Sequence, residues 1–309
     1  MKQLRGNLML IITAFIWGSA FVAQDIAAEW VAPFTFNALR SYVGGLFLIP
    51  IIFLFKLIDK KANSPAPKDS NGSRKDLITG GILCGFALAV ASAFQQFGIT
   101  AGASSGKAGF ITAMYILLVP VLGLFLGKKV NIKTWFSVAL GVVGLYLLCM
   151  TSNSFNLATS DIYLILCAVF FSCHILVIDK FSPKVNCIIM SCIQFFTCAF
   201  INTILMFIFE KPDIKGISVA ILPILYVGIM SSGIAYTLQI IAQKDTNPVV
   251  ASLLMSLESV FALICGWIIL NDQMTQREIG GCILVFIGII LSQIPLEEVF
   301  FKNKKKSKI

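Results

Sequence analysis

The chain has 309 residues, of which 58% are apolar and only 13% are charged. Ordinary soluble domains carry roughly 25% charged residues, so this chain lacks the polar side chains that the surface of a soluble protein requires. The formal net charge of +9 is spread over the connections between apolar segments and the C-terminal tail, which argues against nucleic acid as a partner. The composition therefore predicts a polytopic membrane protein.

The apolar segments predict an all-α protein with ten transmembrane helices of about 18 to 25 residues each. Helices are required because hydrocarbon offers no hydrogen-bond partner to an open backbone group, and the continuous apolar runs do not fit a β-barrel. The predicted helices cover residues 7–24, 33–55, 77–99, 104–127, 133–150, 160–179, 186–209, 217–241, 248–270 and 278–294.

The first predicted helix has the features of a secretory signal, with basic residues before an apolar stretch and small residues near Ala20 and Ala23. A similar segment recurs as the sixth predicted helix, so we interpret the first as a retained span. With its N-terminus inside, most basic residues lie on inner connections, as the positive-inside rule requires. We therefore expect a multi-pass protein of the cytoplasmic membrane with both termini in the cytoplasm.

Two polar segments are predicted to lie in the cytoplasm. Residues 56–76, rich in Pro, Ser, Asn and Lys, read as a linker that cannot bury enough apolar surface to fold. Residues 295–309 form a basic tail that either meets anionic lipid headgroups or remains solvated.

Two kinds of site are not supported by the sequence. The Gly-Lys pair at Lys107 resembles a phosphate-binding loop, but Ala101 and Ala108 stand where that motif needs Gly and Ser or Thr. The nine cysteines show neither Cys-x-x-Cys pairs nor zinc-ligand spacing with the single histidine. We expect no metal site, no disulfide framework and no cofactor.

The second half of the chain repeats the first. A shift of 154 positions aligns the sixth predicted helix with the first and the seventh with the second, and a shift of 143 aligns the eighth with the third. Because each half has an odd number of helices, the repeats 7–150 and 160–294 should enter the membrane from opposite sides, as in secondary transporters. The aligned pairs are Trp17 with Phe171, Asp25 with Asp179, Arg40 with Gln194, Gly85 with Gly228, Gln96 with Gln239, Gly144 with Gly288 and, roughly, Pro120 with Ser259.

Several segments carry a resemblance to a known family. "FIWGSAFVAQ", "FNALRSYVGGL" and "SGKAGFITAMYILLVPVLG" resemble the first half of EamA-type members of the drug/metabolite transporter superfamily, and "SSGIAYTLQIIAQKDTNPVVASLLMSLESVFALICGWIIL" resembles the second half. The resemblance implies two inverted five-helix EamA repeats around a central cavity and a carrier of small metabolites, often an exporter of amino acids. Asn271 and Asp272 stand where the family usually has Gly-Glu.

Ionisable residues inside the predicted spans are candidate substrate-binding or coupling residues, because each costs at least about 2.5 kcal/mol to insert. Glu258 should lie near the bilayer centre as a proton-coupling or substrate-binding carboxylate, or as a structural carboxyl. Arg40 could bind a substrate carboxylate or form a structural ion pair. Lys107 could line the cavity or extend to the interface.

The remaining candidates are polar or aromatic. His174 could transfer protons or simply hydrogen-bond to a neighbouring helix. Gln96 and Gln239 could bind a polar substrate or join helices. Trp17, Tyr115 and Tyr236 could line the cavity or pack. Arg40, Glu258 and the two glutamines are expected to converge on one cavity.

We therefore predict a secondary transporter of small metabolites that works by alternating access and exports amino acids or related compounds. The alternatives are an importer or exchanger of another small solute, a channel, or a membrane sensor. An enzyme is not expected, since the sequence has no His-Glu-x-x-His zinc motif, and Ser231, Ser232 and Gly233 lack the glycine that precedes the serine in a Gly-x-Ser-x-Gly motif. Protons and membrane lipids are further expected partners, and the sequence is compatible with an oligomer.

Overall fold

The computed structural model describes residues 2–61, 73–103, 105–149, 158–270 and 275–293. Within these ranges the regular secondary structure is helical. The α-helices are α1 (Lys2–Ala28), α2 (Pro33–Lys61), α3 (Arg74–Thr100), α4 (Ser105–Thr112), α5 (Tyr115–Phe125), α6 (Ile132–Cys149), α7 (Thr159–Phe181), α8 (Cys187–Phe209), α9 (Ile214–Val219), α10 (Ile221–Tyr226), α11 (Tyr236–Gln243), α12 (Pro248–Met255), α13 (Leu257–Leu270) and α14 (Gln276–Gln293). A π-helix (Val227–Ala235) joins α10 to α11, and a 3₁₀ turn (Ser182–Lys184) follows α7.

Most of these helices are long and apolar enough to cross a bilayer. In the described ranges, nine segments meet that criterion, and Ile132–Leu147 is a shorter apolar helix. Large apolar side chains such as Phe125, Phe207 and Leu222 are strongly exposed on the outside of the bundle. Such a surface is stable only against lipid, so the chain is an integral multi-pass membrane protein.

Three predicted helices are interrupted. The helix predicted at 104–127 is broken between α4 and α5, where the amide of Met114 bonds to the carbonyl of Ile111, three residues back. The helix predicted at 248–270 is broken between α12 and α13, where the amide of Ser259 bonds back to Ser256. Hydropathy shows only that these residues are apolar, so it cannot reveal a local change from α-helical to i→i−3 hydrogen bonds.

The third interruption lies in the helix predicted at 217–241. Here the backbone widens into the π-helix, where the amide of Tyr236 bonds to the carbonyl of Ser231, five residues back. Rare π-segments of this kind are often found at functional sites.

The helices extend into the predicted linker 56–76 at both ends, because α2 continues to Lys61 and α3 begins at Arg74. The Ser73 hydroxyl accepts a hydrogen bond from the Asp76 amide, and the Asp76 carboxylate accepts one from the Ser73 amide. This reciprocal capping box fixes the start of α3. The linker's middle, the tail 295–309 and the pair Asn271–Asp272 lie outside the described residues.

Contacts at the helix ends define the two ends of the bundle. At one end the Glu210 carboxylate accepts hydrogen bonds from the amides of Phe34 and Thr35, each over 2.8 Å, and so caps the start of α2. At the other end the Asn7 amide donates to the Gln293 side chain over 2.7 Å. We call this second end, which holds the starts of α1, α3 and α6 and the end of α14, the terminal side.

Helices from the two halves of the chain pack against each other throughout. Helix α1 packs against α13, α7 packs against α3, α4 and α5, α2 packs against α8 and the π-helix, and α6 packs against α14. One large apolar cluster joins residues from both halves, among them Leu10, Leu88, Leu164 and Leu253. The interrupted helices meet at the centre of this bundle.

Candidate functional site

A small cavity lies where the broken helices meet. Its volume is about 30 Å³, and it is lined by residues of α1, α2, α3, α4, α5, α7, α13, α11 and the π-helix: Trp17, Ala20, Phe21, Gln24, Arg40, Gln95, Thr112, Tyr115, Phe171, Ser231, Tyr236 and Glu258. Since a single water needs roughly 10–15 Å³ measured in this way, the cavity has room for about two waters in this conformation. An organic solute would need the surrounding helices to move apart.

Glu258 and Tyr115 form the polar centre of the cavity. The Tyr115 hydroxyl donates a hydrogen bond to Oε1 of Glu258 over 2.9 Å, and Glu258 is only 3% exposed. Tyr115 is the first residue of α5, and Glu258 lies in the first turn of α13, so each follows a helix break. The unpaired amides of a helix start favour a negative charge, which helps α13 to hold a buried carboxylate.

Arg40 brings a second charge to the same cavity. Arg40 is 4% exposed, and its guanidinium donates to Oε1 of Gln24 over 3.4 Å and lies 5.5 Å from the centre of the Phe36 ring. The backbone carbonyl of Gln24 in turn accepts from the side chain of Gln96 over 3.3 Å. Helices α1, α2 and α3 together therefore hold a buried, permanently charged donor at the cavity wall.

Aromatic side chains form another part of the cavity wall. The rings of Trp17 and Tyr236 have centroids 4.7 Å apart at an angle of 52°. Phe195 approaches Tyr236 edge-on at 5.7 Å, and Phe171 contributes a further lining ring. The Trp17 indole nitrogen is buried and has no hydrogen-bond acceptor among the described residues. An indole N–H can only donate, so it offers a donor for a solute in the cavity.

The structure separates Gln96 and Gln239 from this cavity, contrary to the expected convergence. Gln95 lines it instead and donates to the Thr112 hydroxyl over 3.4 Å. Neighbouring residues on an α-helix point about 100° apart, so hydropathy alone could not decide which glutamine faces inward. Gln239 is 1% exposed within α11 and does not line the cavity.

Lys107 also lies away from the cavity lining. Its ammonium group is 2.7 Å from Oδ1 of Asp161, which lies in the first turn of α7 and is 6% exposed at its side chain. Neither sequence alternative included this ion pair. At the other end of α7, Lys128 pairs with Asp179, so α7 is joined to the α4–α5 segment at both ends.

His174 lies behind the cavity, on the side of Tyr236. Its Nε2 is 2.8 Å from Oε1 of Gln194 on α8, and its ring meets the Tyr236 ring edge-on at 5.8 Å. Both His174 and Gln194 are 0% exposed. The hydrogen bond to a neighbouring helix that the sequence suggested for His174 is therefore present.

Sequence reasoning named Arg40, Glu258, Trp17, Tyr115 and Tyr236, and all five line the cavity. It did not name several further lining residues: Gln24, Gln95, Thr112, Phe171 and Ser231. Phe171 carried a usable signal, since the repeat alignment pairs it with Trp17. The others are common polar residues whose position depends on helix rotation.

Relatives of known sequence align with nearly the full length of the chain. A 28% identical relative from Archaeoglobus fulgidus, named an uncharacterized transporter, aligns over 94% of this chain and 86% of its own length. The transporter YoaV of Bacillus subtilis, also named uncharacterized, is 25% identical over 92% of this chain and 94% of its own. A WAT1-related chloroplastic protein of Arabidopsis thaliana is 25% identical over 93% of this chain and 69% of its own.

A protein of known crystal structure has a similar fold, with a TM-score of 0.74 at 18% sequence identity over 93% of this chain and 96% of its own. The family model described as the EamA-like transporter family matches residues 4–150 and again residues 158–293. Two matches in tandem account for nearly all of the described helices. The chain belongs to the EamA-like transporter family, which implies a small-molecule substrate.

Proposed function

We propose that this protein is a secondary transporter of the cytoplasmic membrane that exports amino acids or related compounds by alternating access. Two five-helix repeats of opposite orientation, 7–150 and 160–294, would rock about the central cavity. In this proposal α6 serves as the tenth span beside the nine longer segments. The observation that carries the proposal is the presence of Arg40 and Glu258 on one central cavity.

Contacts that exchange partners between the repeats support their two-fold relation. A Cβ added to Gly85 would lie 2.6 Å from the Gln194 carbonyl oxygen, and one added to Gly228 would lie 3.1 Å from the Arg40 carbonyl oxygen. The repeat alignment pairs Gly85 with Gly228 and Arg40 with Gln194. Each contact is therefore the counterpart of the other, as an inverted repeat requires.

The same exchange occurs between α6 and α14. A Cβ on Gly144 would lie 2.7 Å from the carbonyl oxygen of Gly281, and one on Gly288 would lie 2.8 Å from the carbonyl oxygen of Ser137. Gly144 and Gly288 are themselves an aligned pair. Such close backbone approach is typical of helices that pack through small residues inside membranes.

The helix breaks refine the alignment of the fourth and ninth predicted helices. Helix α4 (Ser105–Thr112) and helix α12 (Pro248–Met255) correspond at a shift of 143, which replaces the rough pairing of Pro120 with Ser259. At this shift Tyr115 is the counterpart of Glu258. The hydrogen bond between these two counterparts would then mark the two-fold axis, where discontinuous helices of transporters bind their substrates.

A zwitterion fits the charges of the cavity. The guanidinium of Arg40 can bind a carboxylate, and the carboxylate of Glu258 can bind an ammonium group. A free amino acid carries both groups on one carbon. The aromatic wall of Trp17 and Tyr236 would then face the amino acid's side chain.

Glu258 is the proposed proton site if transport is coupled to a proton gradient, because it is a buried carboxyl at the point where the repeats meet.

The distribution of basic residues supports a cytoplasmic location for both termini. In that orientation the tail 295–309 would lie against the anionic inner leaflet.

The test is transport into proteoliposomes that are preloaded with one unlabelled amino acid at a time and supplied with the same labelled amino acid outside. We expect counterflow of neutral amino acids with the unaltered protein and loss of most of that flux with Arg40→Gln. Lys215→Gln, which changes an exposed charge outside the cavity lining, should leave the flux unchanged. No counterflow with any amino acid would contradict the proposed substrate class.

The same vesicles test the coupling. An imposed pH gradient should drive net uptake by the unaltered protein, and with Glu258→Gln the uptake that remains, although weakened by the loss of a substrate contact, should no longer depend on the pH gradient. Net uptake by Glu258→Gln that still follows the pH gradient would remove Glu258 from its proposed role.

A further inference from the structure

The buried pair His174 and Gln194 corresponds to part of the cavity wall in the other repeat. A shift of 154 aligns His174 with Ala20 and Gln194 with Arg40, and both Ala20 and Arg40 line the cavity. The aligned pair Trp17 and Phe171 lies on the cavity in both repeats. His174 and Gln194, by contrast, lie behind Tyr236 and outside the cavity.

Their position along the helices is opposite to that of their counterparts. His174 is three residues beyond Phe171 on α7, about 4.5 Å nearer the terminal side at 1.5 Å per residue. Ala20 is three residues beyond Trp17 on α1, and by the same rise it is about 4.5 Å nearer the opposite end of the bundle, which holds the start of α2 and which we call the far side. In this conformation the cavity therefore includes Ala20 and Arg40 of the first repeat, which lie towards the far side. It does not include their counterparts His174 and Gln194 of the second repeat, which lie towards the terminal side.

The pair has unused hydrogen-bonding capacity. The bond between His174 Nε2 and Gln194 Oε1 leaves His174 Nδ1 and Gln194 Nε2, both buried, without a partner among the described residues. Buried polar atoms without partners are uncommon, since each costs about 1–3 kcal/mol. Nδ1 can accept a hydrogen bond and the amide Nε2 can donate one.

We propose that His174 and Gln194 form a second binding position for the transported solute, closed in this conformation and open towards the terminal side in the alternate one. This inference rests on the proposed function, because it requires that the two repeats exchange roles. The position suits a zwitterionic amino acid, whose ammonium group donates to Nδ1 of His174 and whose carboxylate accepts from Nε2 of Gln194. Tyr236 would be the ring that separates the two positions.

A cysteine accessibility experiment tests the proposal without knowledge of the substrate. The nine native cysteines are first replaced, and single cysteines are then introduced by Gln194→Cys, His174→Cys and Ala20→Cys. Inside-out and right-side-out membrane vesicles are treated with a membrane-impermeant cationic methanethiosulfonate. Leu145→Cys on α6, which is 0% exposed and outside the cavity, serves as the buried control.

Positions 194 and 174 should be modified only from the terminal side, position 20 only from the far side, and position 145 from neither. If one of the two terminal-side variants fails to fold, the other carries the test. Modification of position 20 with positions 174 and 194 unreactive from both sides would overturn this inference and leave the proposed function intact. If none of the three positions reacts, alternating access fails and this inference fails with it.

Discussion

The Tyr115 hydroxyl and the Glu258 carboxylate are joined by a 2.9 Å hydrogen bond, and each residue stands just beyond the break in its own helix. The break in one helix thus supplies the donor and the break in the other supplies the acceptor. Because both groups are buried, neither can exchange this partner for bulk water without movement of the helices.

Tyr115→Phe should destabilise the protein, because it leaves a buried carboxylate oxygen with one donor fewer. We expect a loss of about 1–3 kcal/mol in the free energy of unfolding, as for other buried groups that lose a partner. The measurement is thermal or denaturant unfolding of the purified protein in detergent.

A double-mutant cycle with Glu258→Leu identifies the cause. If Tyr115 stabilises the fold through Glu258, the cost of Tyr115→Phe should be smaller in the Glu258→Leu background, because the acceptor of the hydrogen bond is already gone. Equal costs in the two backgrounds would mean that the hydroxyl acts through another contact.

Gly288→Val should weaken the packing of α14 on α6. A Cβ at Gly288 would lie 2.8 Å from the Ser137 carbonyl oxygen, which is backbone and cannot rotate away. Forced contacts of this kind typically cost about 1–3 kcal/mol. Gly280→Val is the matched control on the same helix, because a Cβ there would have no atom of another described helix within 4 Å. Equal melting temperatures for the two variants would contradict the close approach.

The sequence predicted the membrane class, the positions of the helices and five of the cavity residues, since all of these follow from apolar length and from charges inside spans. It could not predict the breaks at Met114 and Ser256, because a run of apolar residues reads the same whether or not its hydrogen bonds continue. It also missed the choice of Gln95 over Gln96, which depends on the rotation of α3. Asp161 was not recognised as the partner of Lys107, because it lies 54 residues away in the chain and only packing brings α4 and α7 together.

The two ion pairs of α7 should differ in their contribution to stability. The side chains of Lys107 and Asp161 are 27% and 6% exposed, whereas those of Lys128 and Asp179 are 37% and 20% exposed. Lys107→Met should lower the free energy of unfolding by about 2 kcal/mol, because it leaves Asp161 buried without its cation. This value lies between those typical of surface and buried ion pairs. Lys128→Met should cost only about 0.5 kcal/mol, as for an exposed pair.

Unfolding of both variants at low and high salt checks this order. High salt should reduce the loss of unfolding free energy caused by Lys128→Met. It should reduce the loss caused by Lys107→Met less, because buried pairs are screened less. A larger loss for Lys128→Met would reverse the order and contradict the burial of Asp161.

Trp17→Phe should separate substrate binding from stability. The Trp17 indole N–H has no acceptor among the described residues, so its removal breaks no hydrogen bond that the structure contains. The phenyl ring keeps an aromatic contact with Tyr236 but is smaller than the indole, so we expect the free energy of unfolding to fall by about 1–2 kcal/mol from lost packing alone. If the N–H donates to the solute, the KM of transport should rise about fivefold, which corresponds to one hydrogen bond of about 1 kcal/mol.

Trp30→Phe provides the control for Trp17→Phe, since it makes the same chemical change at a side chain that is 51% exposed and outside the cavity. Its KM should match that of the unaltered protein. A KM for Trp17→Phe that is equally unchanged, with transport otherwise intact, would mean that the indole donor does not meet the solute. The aromatic wall would then act by shape alone, and recognition of the solute would depend on Arg40 and Glu258.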